Sequence, residues 1–301
     1  MSRVLVSGGS GFVGRFIVED LLRQGHEVRV SGRTQPSETF FTRPVRFIRH
    51  ELDPETDFDE LFSGVDCFVH AAFDHLSGHY RGGEGDDPGN FRRRNQCASV
   101  RLFEAARRAG VRRAVFLSSR AVYGTQPTGM ALDEETSCRP DTLYGEVKLA
   151  VEEELRKLSR PGFETVSLRV TGVYGPSGGR KPHKWSALIE GYLAGRPVMP
   201  RVGTEVHGED VATAVVLLLD APIWREPILN VSDIVLDRRD MLEIVKRETG
   251  SPHPLPDRAD AGALNVMATN RLRAMAWRPR GMEAVREFLH TEFRRLRAGG
   301  Y

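Results

Sequence analysis

The chain has 301 residues, with 43 basic and 41 acidic side chains, a formal net charge of +2 and 40% apolar residues. So even a balance excludes the strongly basic profile of a nucleic-acid or membrane-surface protein, and no apolar run approaches the roughly 20 residues of a membrane span. A chain of this size buries enough surface to fold without disulfides or a structural metal, as one large α/β unit or two unequal domains.

In chain order, Arg3–Ser7 reads as a buried strand and Phe12–Gln24 as an amphipathic helix stopped by Gly25. Strands follow at Val28–Ser31, Val45–Ile48 and Cys67–Ala71, with a short helix at Phe58–Phe62. A long helix over Phe91–Ala109, a strand at Ala114–Ser118, a helix over Leu143–Leu158 and a strand at Thr165–Val170 complete the alternation. This order predicts an α/β fold, a Rossmann-like doubly wound parallel sheet over residues 1–175. Beyond Gly175 the pattern is mixed: helices near Trp185–Ala194, Glu209–Leu219, Met241 and Met282, and a strand at Ile228–Val231. Residues 176–301 therefore read as a smaller C-terminal α/β substrate lobe, partly interleaved with the sheet. The long stretches Asp74–Asn90 and Pro176–Lys184 follow strand ends, where open α/β sheets bind ligands.

The three cysteines, Cys67, Cys97 and Cys138, are odd in number and far apart, which reads as free thiols in a reducing cytoplasm. The opening Val4-Leu5-Val6 is too short for the apolar core of a signal peptide. Only five of the 43 basic residues are Lys, so a single Arg needs a positional argument before it means anything.

Ser7-Gly8-Gly9-Ser10-Gly11-Phe12-Val13-Gly14 joins the first strand to the first helix. Gly8 suits the tight turn, Gly11 the approach of a pyrophosphate, and Gly14 close packing of helix on strand. The helix N-terminus then offers unpaired N–H groups and partial positive charge to phosphates. The second strand ends Ser31-Gly32-Arg33, with no acid for a ribose 2′-hydroxyl. Arg33, helped by Ser31, suits a 2′-phosphate instead, so NADP is expected over NAD. Glu51 and Leu52 follow the third strand and are expected to flank the adenine.

Tyr144 and Lys148 are four apart on a predicted helix and share one side of it. An ammonium beside a phenol favours the phenolate, which suits proton transfer. Ser119 closes the fifth strand, where it can bind the substrate oxygen that gains or loses that proton. No Cys or carboxylate stands at metal-ligand spacing with His75, His79 or His183, so no metal site is expected. His207 and Asp210 read as structural hydrogen-bond partners, and Arg92-Arg93-Arg94 as a solvated turn opening the long helix.

With these motifs in place, the chain resembles the extended short-chain dehydrogenase/reductases of the NAD-dependent epimerase/dehydratase family over nearly its whole length. The likeness runs through SGGSGFVG, Val69-His70-Ala71-Ala72, Asn95, FLSSRAVYG, Tyr144-Gly145-Glu146-Val147-Lys148 and Leu168–Pro176. It continues in Val206–Ala212 and Leu229–Asp233. The resemblance implies Tyr144 as general acid/base, Lys148 as its electrostatic partner and Ser119 as substrate hydrogen-bonder. It places Asn95 near the cofactor or its waters, and Ala71, Ala72, Ser118 and Val170 along the nucleotide. It also implies a homodimer through the two long helices.

Three departures shape the functional reading. Dehydratases of the family carry an Asp-Glu pair where Arg120 and Ala121 stand, which argues against water elimination. Nucleotide-sugar epimerases place an Asn where Gly172 stands, and an Arg shortly before the His-x-x-Asp segment. Here Gly203-Thr204-Glu205 precedes Val206, the nearest arginine is Arg201, and Arg180, Lys181 and Lys184 offer a different clamp. The leading expectation is an NAD(P)-dependent oxidoreductase acting on a carbinol or carbonyl of a small or sugar-like molecule. A nucleotide-sugar 4-epimerase is the alternative, and a non-catalytic NAD(P)-binding sensor the second.

Overall fold

Alternation within single strands decides the layering. In β1 (Arg3–Ser7), Val4 and Val6 join one apolar cluster and Leu5 another, because successive side chains leave opposite faces of a sheet. The computed structural model describes residues 1–75, 83–178, 182–222, 224 and 226–298. The other main-sheet strands are β2 (Glu27–Gly32), β3 (Arg46–Arg49), β4 (Cys67–His70), β5 (Arg113–Ser119) and β6 (Glu164–Val170). They are joined by a strand from later in the chain, β9 (Ile228–Val231), in the order β3-β2-β1-β4-β5-β6-β9. All pairings in this sheet are parallel.

Helix α1 (Phe12–Arg23) packs on one face together with α6 (Gly208–Asp220). On the other lie α3 (Ala98–Arg108) and α4 (Leu143–Leu158), around Phe68, Phe103 and Phe116. Strand order reverses between β1 and β4, the switch point at which doubly wound sheets open a crevice at the carboxyl ends of their strands.

The expected elements shift in places. The helix expected from Phe91 starts earlier, as α2 (Pro88–Arg92), where Pro88 sits in the first turn and Asp87 caps Asn90. It then passes through a π-turn at Arg93–Cys97 before becoming α3. The helix expected at Phe58–Phe62 is a 3-10 turn, Asp59–Phe62. Strand β4 stops at His70, so Ala71 and Ala72 belong to the loop above it.

The second lobe holds a small sheet absent from the sequence reading: β7 (Gly172–Tyr174), β8 (Val202–His207) and β10 (Ile234–Asp237), in the order β10-β8-β7. These strands are short, β7 and β8 carry glycines, and β10 is a four-residue run with Val235 exposed and Asp237 buried, so no two-residue apolar period marks them. Helices α5 (Ser186–Leu193), α7 (Arg238–Thr249) and α9 (Met282–Ala298) cover it around Trp185, Leu242 and Phe288. A short α8 (Asn270–Ala274) seats Leu272 against the main core. No helix among the described residues is long and apolar enough to cross a membrane.

Candidate active site

The glycine turn is built by close approach. Gly8 has φ +72°, and a Cβ there would lie 2.6 Å from the Ala72 backbone. Its N–H donates to the Ser31 carbonyl (2.8 Å), so the ends of β1, β2 and β4 meet at this one residue. A Cβ on Gly14 would come 2.1 Å from the Gly8 carbonyl oxygen. Gly11 caps α1 without a side-chain hydrogen bond, and the first turn holds no acid. The helix therefore presents its N–H groups to an anion. Ser10 lies beside Gly32, Phe12 packs edge-on against Phe16, and Val13 is half-buried against the core. Among the described residues, the Ser31 hydroxyl is buried without a hydrogen-bond partner. A cradle a Cβ would fill and an orphaned hydroxyl fit a dinucleotide.

The end of β2 is less simple than its sequence. Arg33 pairs with Asp74 (2.8 Å), which also pairs with Arg94 (3.1 Å), and Arg94 in turn with Glu51 (3.4 Å). Two cations and two carboxylates balance, so Arg33 is not a spare positive charge waiting for a 2′-phosphate. Leu52 is buried, and its carbonyl accepts from Arg94 (3.4 Å). The run Arg92-Arg93-Arg94 is ion-paired throughout: Arg92 to Glu146, Arg93 to Asp53 (2.9 Å) and Arg94 as above.

Asn95 is buried in the π-turn with its amide fully engaged. Its Oδ1 accepts from Asp74 N–H (2.6 Å), and its Nδ2 donates to the carbonyls of Asp74 (2.8 Å) and Phe91 (3.1 Å). It therefore pins the loop above β4. This holds Phe73 edge-on to Tyr144, with ring centres 5.0 Å apart.

Tyr144 and Lys148 sit in the first turns of α4, capped by Thr142, whose hydroxyl accepts from Gly145 N–H (3.1 Å). A Cβ on Gly145 would meet the Ala121 carbonyl at 2.5 Å, so glycine here lets the helix lie against the turn that follows Ser119. Ser119 is half-buried, accepts from Ala121 N–H (3.2 Å) and pairs in register with Val170. Lys148 is buried. Its ammonium donates to the Leu117 carbonyl (2.6 Å) and lies over the rings of Phe73 (4.3 Å) and Phe116 (4.6 Å). Burial pulls its pKa down to about 7, opposed by the Glu152 carboxylate one turn further on. Lys148 is thus poised to change charge near neutrality.

Ser118 departs from its expected place along the nucleotide. Its hydroxyl donates to Glu152 (2.5 Å), inside the interface between sheet and helix. Glu152 also holds Arg169 through Nε (3.1 Å) and Nη2 (2.7 Å), and both side chains are almost fully buried. The reason is strand alternation: Ser119 and Ser118 leave β5 on opposite faces.

Phe73 and Glu152 went unmarked in the sequence, and Asp74 and Arg169 were marked only as parts of the stretches Asp74–Asn90 and Leu168–Pro176. A signal for Glu152 existed, since it stands four residues after Lys148 in the stripe Val147, Lys148, Val151, Glu152, Leu155, all buried. A charge in that stripe requires a partner.

A cleft of about 1160 Å³ opens beside these elements, lined by Ser10, Gly11 and Phe12 of the cradle and by Arg120 next to Ser119. Across it stand Lys184, Arg201, Glu205 and Arg238 of the second lobe. Lys184 pairs with Glu205, and a Cβ on Gly172 would lie 2.6 Å from the Lys184 Nζ and 2.8 Å from the Glu205 Oε2. The ion pair thus fills the space above Gly172. Arg180, Lys181 and His79 lie outside the described residues. His207 caps α6 by accepting from Glu209 N–H (3.2 Å) and also accepts from Arg280 (2.5 Å). Burial, then the Arg280 charge, take its pKa down to about 3, so it is neutral. His183 accepts from Trp185 N–H (3.2 Å), and His75 lies near the Phe73 carbonyl (3.4 Å).

Residues 4–231 match the model of the NAD dependent epimerase/dehydratase family. The chain is 25% identical to a UDP-glucose 4-epimerase of Corynebacterium glutamicum, covering 92% of this chain and 91% of that one. It is 31% identical to a dTDP-glucose 4,6-dehydratase of Streptomyces niveus, over 58% of this chain and 54% of that one. Among solved structures, a Thermus thermophilus UDP-glucose 4-epimerase in complex with NAD superposes with a TM-score of 0.77 at 31% identity, over 97% and 99% of the two chains. The matched segment spans the glycine cradle, the Ser119 strand end, the Tyr144–Lys148 helix and all seven strands of the main sheet, and the chain belongs to the NAD-dependent epimerase/dehydratase family.

Proposed function

We propose that this chain is an NAD(P)-dependent enzyme that oxidises a secondary alcohol carbon of an anionic, sugar-like substrate, with nucleotide-sugar 4-epimerisation as its turnover. The observation that carries the reading is that Ser10, Gly11 and Phe12 of the glycine cradle and Arg120, next to Ser119, line one large cleft with basic side chains, while Gly145 lets the Tyr144–Lys148 helix lie against the turn that follows Ser119. Gly8, Gly11, Gly14 and Ser31 would hold the dinucleotide, which supplies the hydride acceptor when bound. Tyr144, as the phenolate that the Lys148 ammonium stabilises, takes the alcohol proton and becomes the phenol, and Ser119 orients the reacting oxygen. The size and basic lining of the cleft favour an epimerase over a simple dehydrogenase of a small alcohol, as do the UDP-glucose 4-epimerase relatives. Arg120 and Ala121 supply no carboxylate beside Ser119, which counts against dehydration, while the dTDP-glucose 4,6-dehydratase relative counts for it.

For NADP over NAD the support is Arg33 at the end of β2, 60% exposed in its side chain, and Asp74 opposes it. The reading includes a cytoplasmic homodimer through α3 and α4, which light scattering would check.

The test is incubation with NAD(P) and UDP-sugars, following the 4-epimer ratio and the near-ultraviolet absorbance of the reduced nicotinamide. Equilibration of the epimers without accumulated reduced cofactor is expected. Steady accumulation of reduced cofactor would select the dehydrogenase, and a 4-keto-6-deoxy product would select dehydration. Tyr144→Phe should lower turnover by about 10²–10⁴-fold, the usual contribution of acid–base catalysis, with cofactor still bound. Unchanged turnover would refute the role of Tyr144 and, with it, the mechanism.

A further inference from the structure

The loop above β4 carries an aromatic ring to the Lys148 ammonium. Ala71 N–H donates to the Ser7 carbonyl (2.9 Å), and the Ala72 backbone lies against Gly8, so the loop leaves β4 along the glycine cradle. Just beyond, Asn95 holds Asp74 through both its N–H and its carbonyl. Phe73 lies between these two anchors and is half-buried. Phe91, whose carbonyl also accepts from Asn95, stands behind it, with ring centres 5.5 Å apart at 70°. Held in this way, the Phe73 ring turns to α4. Its face takes the Lys148 ammonium at 4.3 Å, and its plane stands at 78° to that of Tyr144. Phe73 joins none of the apolar clusters among the described residues, so these contacts are not a by-product of core packing.

Lys148 depends on such contacts, because the charged groups around it are engaged elsewhere. Its ammonium donates to the Leu117 carbonyl, and among the described residues it joins no ion pair. Glu152, one turn further along α4, acts on it from a distance and is committed to Arg169 of β6 and to Ser118. From β4, His70 is bonded to Ser7 and Ser99. Burial, then the Lys148 and His50 charges, hold it well below the ordinary histidine value, so it is neutral. The Asp74 carboxylate belongs to Arg33 and Arg94. Against the ammonium there remain two ring faces, Phe73 and, at 4.6 Å, Phe116. Phe116 is 1% exposed and packs on Phe103 and His70, so the core needs it whatever the site does.

An aromatic face carries the negative part of the ring quadrupole and attracts a desolvated cation. A neutral amine does nothing for a phenolate, so whatever keeps the charge on Lys148 in this dry setting serves the proton transfer. We propose that Phe73 is a positioning residue of the site, whose ring face holds the charged Lys148 ammonium beside Tyr144 and whose perpendicular contact sets the tilt of the phenol. This rests on the function proposed above, in which Lys148 supports the Tyr144 phenolate, and adds to it a residue that the sequence motifs leave out.

The chain has five lysines, so full-length protein labelled with 13C at lysine Cε gives a simple NMR spectrum, with Lys148 identified by its loss in Lys148→Met. The wild-type midpoint of its titration is expected at about 7. Phe73→Leu, which keeps apolar bulk and removes the ring face, should lower that midpoint by about one pH unit, the size of a desolvated cation–π contact. Phe73→Tyr, which keeps the ring, should titrate as the wild type does, and Phe73→Met replaces the leucine variant if that one fails to fold. In turnover of UDP-sugars, Phe73→Leu should lower kcat by up to about 10-fold above neutral pH, as the charged fraction of Lys148 falls, with KM little changed. A midpoint unchanged or raised in Phe73→Leu, a tyrosine variant shifted as far as the leucine, or a kcat equal to that of the wild type would each overturn the proposal. The titration needs no substrate, so a protein that turns over no UDP-sugar would refute the proposed function while the NMR midpoints still decide the ring contact.

Discussion

The buried pair behind Lys148 offers a sharp test of the site's architecture. Glu152 receives Ser118 at 2.5 Å and Arg169 at 3.1 and 2.7 Å, with both charged side chains 3% exposed or less. Arg169 also lies over the Tyr123 ring (4.8 Å), and the Tyr123 hydroxyl donates to Asn230 of β9 (2.7 Å). Removing one partner leaves a buried charge uncompensated, which costs about 3–5 kcal/mol. Glu152→Gln and Arg169→Met should each destabilise by that amount. The double variant Glu152→Leu/Arg169→Met should lose much less than the sum, because both charges leave together. Urea denaturation followed by circular dichroism, with linear extrapolation, measures all three. The Glu152 charge also raises the Lys148 pKa, so Glu152→Gln should move the Lys148 titration further below its value of about 7. Single variants within about 1 kcal/mol of wild type, or a double variant with additive loss, would refute the pair as a buried, mutually dependent unit.

Other outcomes follow from the same geometry. Lys148 has its folded pKa depressed to about 7, against an unfolded value of about 10.4. The folded state therefore bears the penalty of a buried charge below pH 7 and sheds it as pH rises. Lys148→Met should accordingly stabilise most near pH 6 and progressively less towards pH 10 in thermal melts, and a gain independent of pH would contradict this. Gly14→Ala, with its Cβ 2.1 Å from the Gly8 carbonyl oxygen, should abolish NAD(H) binding and destabilise by about 1–3 kcal/mol, as overpacking does. Cofactor fluorescence titration checks the first and denaturation the second. Asp74→Ala, by releasing Arg33 and Arg94, should raise affinity for NADPH relative to NADH. Arg33→Ala should remove that gain, and an unchanged cofactor ratio in both would leave Arg33 without a role in the choice.

Legibility in the sequence followed the range of the interaction. The glycine turn, the Ser119 strand end and the Tyr144–Lys148 spacing are local patterns, and each lies at the strand or helix end where its spacing puts it. Ser118 and Ser119 are neighbours with opposite fates, because strand alternation sends one to Glu152 and leaves the other half-exposed. Arg33 stood beyond such reading. Its partner Asp74 is 41 residues away, in a loop pinned by Asn95, which is itself placed by a π-turn no periodicity marks.

The sequence by itself determined the alternating α/β order, the parallel sheet and the anion-ready N-terminus of α1. These follow from strand alternation, helical period and glycine stereochemistry, all acting within a few residues. Tertiary structure alone decided which charges are free to act. Lys184 joins Glu205 over Gly172, Asp74 takes Arg33, and Arg169 takes Glu152. Charge pairing depends on distance through space, and segments far apart in the chain set those distances only when the sheets assemble.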